Sequence, residues 1–307
     1  MSLESACRRL IEEFQSRPTV RAGSLITTVF GDAVAPRGGV VWLGSLIQVM
    51  SSFGISERLV RTSVFRLAKD GWLESTQVGR RSYYSLTEEG RERFEQATHR
   101  IYAKPDAEWD GTWCLVLLSG LDANDKERAR KEIGWLGFGA MSANILAHPK
   151  PDITDLDITL RRLQLDDDVV VMSGQTIRGE GAMRRLAQSG WNLGDIDDRY
   201  KAFNEMFRPV LASLKKEKKI NPITAFLLRS LLIQEYRKVL LRDPQLPAEL
   251  LPANWHGASA YQLCRNVYLD LHRPADQYLT DVLETVDGPL PPPGKKVSMR
   301  FGGLQPN

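Results

Sequence analysis

The sequence predicts an α+β protein in three parts. Three observations carry that prediction: two amphipathic helical segments joined by a glycine turn and followed by a hairpin in the first third, a β-α-β-α-β alternation in the middle, and an almost wholly helical last third. The 307 residues, 42% hydrophobic and 26% charged, give room for about two or three ordinary domains with real cores. The divisions fall at residues 1–104, 105–190 and 191–307. They are marked by Lys104-Pro105-Asp106 and by Gly190-Trp191-Asn192-Leu193-Gly194.

Leu43, Leu46, Ile47 and Met50 recur at i, i+3, i+4, i+7, one face of a helix. That helix stops at Ser51-Ser52-Phe53-Gly54, where Gly54 supplies the positive φ of a tight turn. Ile55 plugs the turn, Ser56 caps the next helix, and Glu57 sits where the helix dipole favours an anion. From Glu57 to about Asp70, Leu59, Val60, Ser63, Val64, Leu67 and Ala68 share the side that packs on the preceding helix. Arg58, Arg61, Thr62, Phe65, Arg66 and Lys69 share the other. A solvated helix face mixes charge signs to gain i,i+4 pairs; this face carries four cations and no acid. Such a set suits a major groove: cations for phosphates and guanine edges, Thr62 and Phe65 for thymine methyls.

Asp70-Gly71 closes the helix. Two β-prone runs follow, Trp72–Thr76 and Arg81–Leu86, around Gln77-Val78-Gly79-Arg80, with Thr87 capping another helix. Arg80 and Arg81 at the hairpin tip would reach the backbone or minor groove beside the helix. The order is that of a winged helix-turn-helix. A solvated basic surface on a purely structural domain is the competing reading.

Charge supports the first. Residues 1–104 hold 15 Lys+Arg against 11 Asp+Glu, a net of +4, so the other 203 residues sum to −1 within the overall +3. Between Pro36 and Ser85, Arg37, Arg58, Arg61, Arg66, Lys69, Arg80 and Arg81 face only Glu57, Asp70 and Glu74.

In the middle part, Trp113–Leu118 reads as a buried strand and Asn124–Trp135 as a charged helix. Gly137-Phe138-Gly139 is a bend; a strand near Ala140–Leu146, a helix Asp152–Leu163 and a strand Val169–Ser173 complete a ferredoxin-like order. In the last part, Tyr200, Phe203, Phe207, Val210 and Leu214 line one face of a helix over Asp195–Leu214. Phe226–Leu241 is apolar almost all round, which demands burial. The proline-rich GPLPPPGKK from Gly288 is read as non-helical.

Other chemistries find little support. Cys7, Cys114 and Cys264 are scattered, as are His99, His148, His256 and His272, so neither a disulfide framework nor a metal site is expected. The amphipathic, acid-containing start and the lack of a long apolar run predict a soluble cytoplasmic protein. Asp166-Asp167-Asp168 reads as a solvated loop and Lys215-Lys216-Glu217-Lys218-Lys219 as a solvated helix end. Trp255-His256-Gly257 reads as a packing turn. Gly137-Phe138-Gly139 lacks the lysine and hydroxyl of a phosphate loop.

Long ordered runs also resemble a known family. RGGVVWLGSLIQVMSSFGISERLVRTSVFRLAKDGWL (37–73), VGRRSYYSLTEEG (78–90), WDGTW (109–113), GWLGFGAM (134–141), FRP (207–209) and LRDPQLPAELLPANWHGASA (241–260) are similar to the PaaX family of repressors of phenylacetate catabolism. The resemblance implies a homodimer that represses an operon and leaves double-stranded operator DNA when an aryl-CoA thioester such as phenylacetyl-CoA binds. It implies no resident cofactor, and a central domain like Cas2. Because Cas2-like folds include metal-dependent nucleases, nucleic-acid processing is the alternative. That chemistry needs an acid at the end of the first central strand, where this chain has Leu118-Ser119-Gly120. The expected DNA contacts are therefore Arg58, Arg61, Thr62, Phe65, Arg66, Lys69, Arg80 and Arg81; no residues are assigned to the effector.

Overall fold

Leu3, Ala6, Cys7, Leu10 and Phe14 bury one stripe of α1 (Leu3–Gln15), which starts where the Ser2 hydroxyl accepts the Ser5 N–H. The structure, a computed structural model, describes residues 2–17, 22–103 and 109–304; the predicted boundary at Lys104-Pro105-Asp106 lies outside them. After α1 come α2 (Ala22–Val29), a π-helical turn (Phe30–Val34), a 3-10 turn (Ala35–Arg37), β1 (Val40–Trp42), α3 (Leu43–Ser51), α4 (Glu57–Lys69), β2 (Leu73–Val78), β3 (Arg81–Leu86) and α5 (Glu88–Tyr102). The expected hairpin forms with Val78 opposite Arg81, leaving Gly79-Arg80 as a two-residue loop. A third strand, β1, pairs antiparallel with β3, so the sheet order is β1-β3-β2. Three residues are too few for a period-two pattern to declare itself, and the sequence reading omitted this strand.

The chain then forms β4 (Thr112–Leu117), α6 (Ala123–Trp135), β5 (Gly139–Ser142), β6 (Ile145–His148), α7 (Ile153–Leu163), β7 (Val170–Gln175) and α8 (Glu180–Gly190). The single strand expected near Ala140–Leu146 is a hairpin of two, turning at Ala143-Asn144. That extra strand completes β-α-β-β-α-β, and the all-antiparallel order β5-β6-β4-β7 is the ferredoxin-like one. Val116 and Leu118 pack with Ala129 and Ile133 of α6 and with Leu156 and Leu160 of α7. The Gly137–Gly139 bend serves packing. The Trp191 indole donates to the Gly137 carbonyl (2.6 Å), and a Cβ on Gly139 would meet the same ring at 2.4 Å.

The remainder is α9 (Leu193–Leu214), α10 (Pro222–Leu240), α11 (Gly257–Val282), a small hairpin of β8 (Glu284–Thr285) and β9 (Gly288–Pro289), and α12 (Lys295–Ser298). The expected apolar faces of α9 and α10 are buried. The tail is non-helical through its prolines, as anticipated, but its two lysines open α12.

Two compact units result. One contains Met1–Lys104, Lys201–Lys238 and Ala258–Asn307; the other contains Pro105–Tyr200 and Val239–Gly257. Residues 191–307 thus contribute to both. In the first unit the joint between the N-terminal elements and the helices is polar and buried. Asp32, 3% exposed, accepts hydrogen bonds from the hydroxyls of Tyr102 (2.6 Å) and Tyr268 (3.0 Å) and from Arg300 Nη1 (2.9 Å). Its other oxygen lies 2.8 Å from Arg229 Nε. Arg37, counted above with the exposed cations, is instead 2% exposed and ion-paired at 2.5 Å with Asp276. Arg229 Nη1 donates to the same Asp276 oxygen (2.6 Å). Around the corner, Arg237 donates to the Ser24 carbonyl (2.8 Å) and the Thr28 hydroxyl (2.7 Å), and Gln234 to the Ser24 hydroxyl (2.9 Å). A buried charge left unpaired is strongly penalised, so these groups fix how α2 meets α10 and α11.

Candidate nucleic-acid interface

Glu57 to Lys69 is helical because Ser56, in extended conformation (φ −66°, ψ 149°), turns its hydroxyl to the Leu59 N–H. The turn before it needs Gly54, at φ +74°, where a side chain would also strike Gln15; the Gln15 amide donates to the Phe53 carbonyl (3.0 Å). Val60 and Val64 are buried against α2 and α3. The sequence reading had only the preceding helix as the packing partner. It also placed Leu59 inside, whereas Leu59 is 36% exposed near the start of the helix.

Arg58, Arg61, Thr62, Phe65, Arg66 and Lys69 are all exposed, and so are Arg80 and Arg81. Phe65 is 69% exposed, a large apolar cost on a helix that merely faces water. The Thr62 hydroxyl donates to the Arg58 carbonyl (2.9 Å), which leaves its methyl as the outward group. The face is not wholly free of acid influence: Glu57 accepts from Arg61 Nε (2.8 Å) one helical turn away. Both partners are more than half exposed, so the pair contributes about 0.3–0.5 kcal/mol at most and yields readily to a phosphate or a guanine.

The two hairpin arginines differ. Arg80 sits in the loop with no ion pair among the described residues. Arg81 starts β3, lies 4.1 Å over the Trp42 ring and ion-pairs with Glu284 of β8 at 2.6 Å. Hydrogen bonds to the Glu284 carboxylate and to Tyr83 hold its guanidinium above the ordinary arginine value. Trp42 and Glu284 were not anticipated; no local pattern connects position 284 with position 81.

At the end of β4 the Leu118-Ser119-Gly120 sequence offers no carboxylate. The next acid along the chain, Asp122, caps α6 by accepting the Asp125 N–H (2.9 Å). Asp197 is likewise engaged, by the backbone N–H of His256 (2.7 Å) and by its ring. Among the described residues no group of three or more His, Cys, Asp or Glu side chains could hold a metal ion, and no helix is long and apolar enough to cross a membrane.

Family models described as PaaX-like protein, PaaX protein central Cas2-like domain and PaaX-like protein C-terminal domain match residues 21–90, 106–187 and 191–281. The chain belongs to the PaaX family. It is 38% identical to the transcriptional repressor PaaX of Escherichia coli (strain K12) over 288 residues, covering 93% of this chain and 91% of that protein. Among solved structures, an uncharacterized protein, Rv0674, from Mycobacterium tuberculosis shares the fold. Its TM-score is 0.56 at 21% identity, over 84% of this chain and 99% of the other.

Proposed function

We propose that this PaaX-family chain is a DNA-binding transcriptional repressor, not an enzyme, and that α4 enters the major groove while the β2–β3 wing lies on the adjacent backbone. The observation that carries this is the exposed face of α4, with four cations and a bare phenylalanine on a well-capped, well-seated helix. The 38% identity to a protein named a transcriptional repressor supports the same reading. A homodimer would present two such helices to successive grooves about 34–36 Å apart, or a multiple of that, on a pseudo-palindromic operator. Release by an aryl-CoA thioester such as phenylacetyl-CoA is the family's expectation. It requires that the ligand prefer a form of the dimer whose wings do not fit the operator.

Gel shifts with the chain's own upstream DNA, with and without phenylacetyl-CoA, test both halves. A shift abolished by the thioester is expected. No shift on promoter DNA defeats the DNA reading, and insensitivity to the thioester defeats the effector.

The roles within the interface separate by substitution. Arg61→Ala is expected to cost roughly 1–3 kcal/mol of binding and to relax preference at one base pair. Arg80→Ala should weaken all sequences alike and flatten the salt dependence. Identical behaviour of the two variants across a panel of operator mutants would refute this division.

A further inference from the structure

The wing carries a feature that DNA binding alone does not require. Arg81 belongs to the proposed DNA-facing hairpin, yet its guanidinium already lies 2.6 Å from the Glu284 carboxylate and 4.1 Å over Trp42. Glu284 comes from the far end of the chain and is not a loose side chain on a mobile tail. Its backbone N–H donates to the Ser45 hydroxyl (3.1 Å). Leu283 before it and Leu290 after the β8–β9 turn are buried and joined by a backbone hydrogen bond (2.8 Å). Further on, Gly294 donates to the Pro36 carbonyl (2.9 Å). The hairpin is thus strapped to the winged sheet, with its carboxylate at the wing.

The pair itself remains open. The side chains of Arg81 and Glu284 are 48% and 42% exposed. An exposed ion pair gains little over solvation and exchanges partners easily. A carboxylate and a phosphodiester offer the same two-oxygen edge to a guanidinium. We propose that Glu284 stands in for a backbone phosphate at Arg81, so that DNA must displace it, and that it thereby restrains sequence-independent binding by the wing. This rests on the DNA reading above. Because the restraint acts on a backbone contact, it lowers affinity for any duplex without touching the base-reading face of α4.

Fluorescence anisotropy over a salt series tests it. The full-length wild type, Glu284→Gln, Arg81→Ala and the double variant are titrated with the chain's own upstream duplex and with an unrelated duplex. Glu284→Gln should bind both duplexes about three- to fivefold tighter, with a plot of log K against log salt steeper by about one. Arg81→Ala should bind more weakly with a flatter slope, and Glu284→Gln should have no effect in its background. An unchanged thermal midpoint confirms that Glu284→Gln leaves the fold intact. If the wild type binds DNA but Glu284→Gln binds equally or more weakly, the pair is a structural clamp and the proposal is overturned while the DNA reading stands. If the wild type binds no duplex, the DNA reading fails and takes this one with it.

Discussion

Asp32→Ala is expected to unfold the first unit, or to leave it so destabilised that its cooperative thermal transition falls below physiological temperature. Among the described residues Asp32 is the only carboxylate that meets both Arg229 and Arg300, and all three side chains are at most 5% exposed. Removing one partner of a buried pair costs about 3–5 kcal/mol because the other charge is stranded. Here Arg229 keeps Asp276 but loses its second carboxylate, Arg300 loses the one carboxylate it pairs with among the described residues, and two tyrosine hydroxyls lose the oxygen they donate to, against a total stability of about 5–15 kcal/mol. Asp32→Asn should be nearly as damaging, since an amide N–H would face groups that donate. Urea denaturation followed by circular dichroism measures both. Wild-type stability in either variant would show that the cluster contributes little.

The same carboxylate gives a pH dependence of definite sign. Burial raises the Asp32 pKa, but Arg229 and Arg300, with the two tyrosine hydroxyls, outweigh it and hold the group below its ordinary 3.8. A carboxylate depressed in the folded state contributes stability that is fully present above its unfolded value. That contribution is lost as pH falls through 3.8 toward the folded value. The urea midpoint of the wild type should therefore fall in this acid range, and its difference from Asp32→Asn should shrink there. A difference independent of pH down to 3 would contradict the assignment.

Replacing Arg58, Arg61, Arg66 and Lys69 together by alanine is expected to abolish operator binding without unfolding the protein. All four are exposed, and alanine is a better helix former than any of them, so α4 should persist on its buried Val60 and Val64. At roughly 1 kcal/mol or more per lost contact, affinity should drop by about a thousandfold or more. If all four meet phosphates, the salt slope should flatten by about 0.9 for each. Anisotropy titration of a variant with an unchanged melting curve is the measurement. Near-wild-type binding would remove α4 from the interface altogether.

What could be read locally was read from short-range physics. The Ser56 cap, the Gly54 turn and the existence of the β2–β3 hairpin each depend on neighbours within a few positions, so residue type alone announces them; the expected four-residue turn Gln77–Arg80 is in fact the two residues Gly79-Arg80, because Gln77 and Val78 pair in the ladder. The outward cations of α4 follow from a 100° turn per residue; Leu59, placed inside by the same count, is 36% exposed. The apolar runs of β4 and α10 likewise declared burial without saying against what. One signal lay unused: Arg229 stands within Phe226–Ile233 and Asp32 within an equally apolar stretch, and a charge in such surroundings implies a buried partner.

Composition, caps and periodicity by themselves determined that this is an α+β chain with a helix-turn-helix, an arginine-tipped hairpin and a basic first third. Only the tertiary structure decided that Arg37 is interior, that β1 exists, that the strand expected near Ala140–Leu146 is a pair, and that Asp32 gathers Arg229 and Arg300. It alone brought Glu284 to Arg81. Helical and strand patterns repeat every two to four residues, whereas the ion pairs join positions 203 to 268 residues apart at Arg81–Glu284 and Asp32–Arg300, and β1 finds its partner only in the distant β3. They are selected by the cost of leaving a charge or a strand edge without its partner, which no local pattern records.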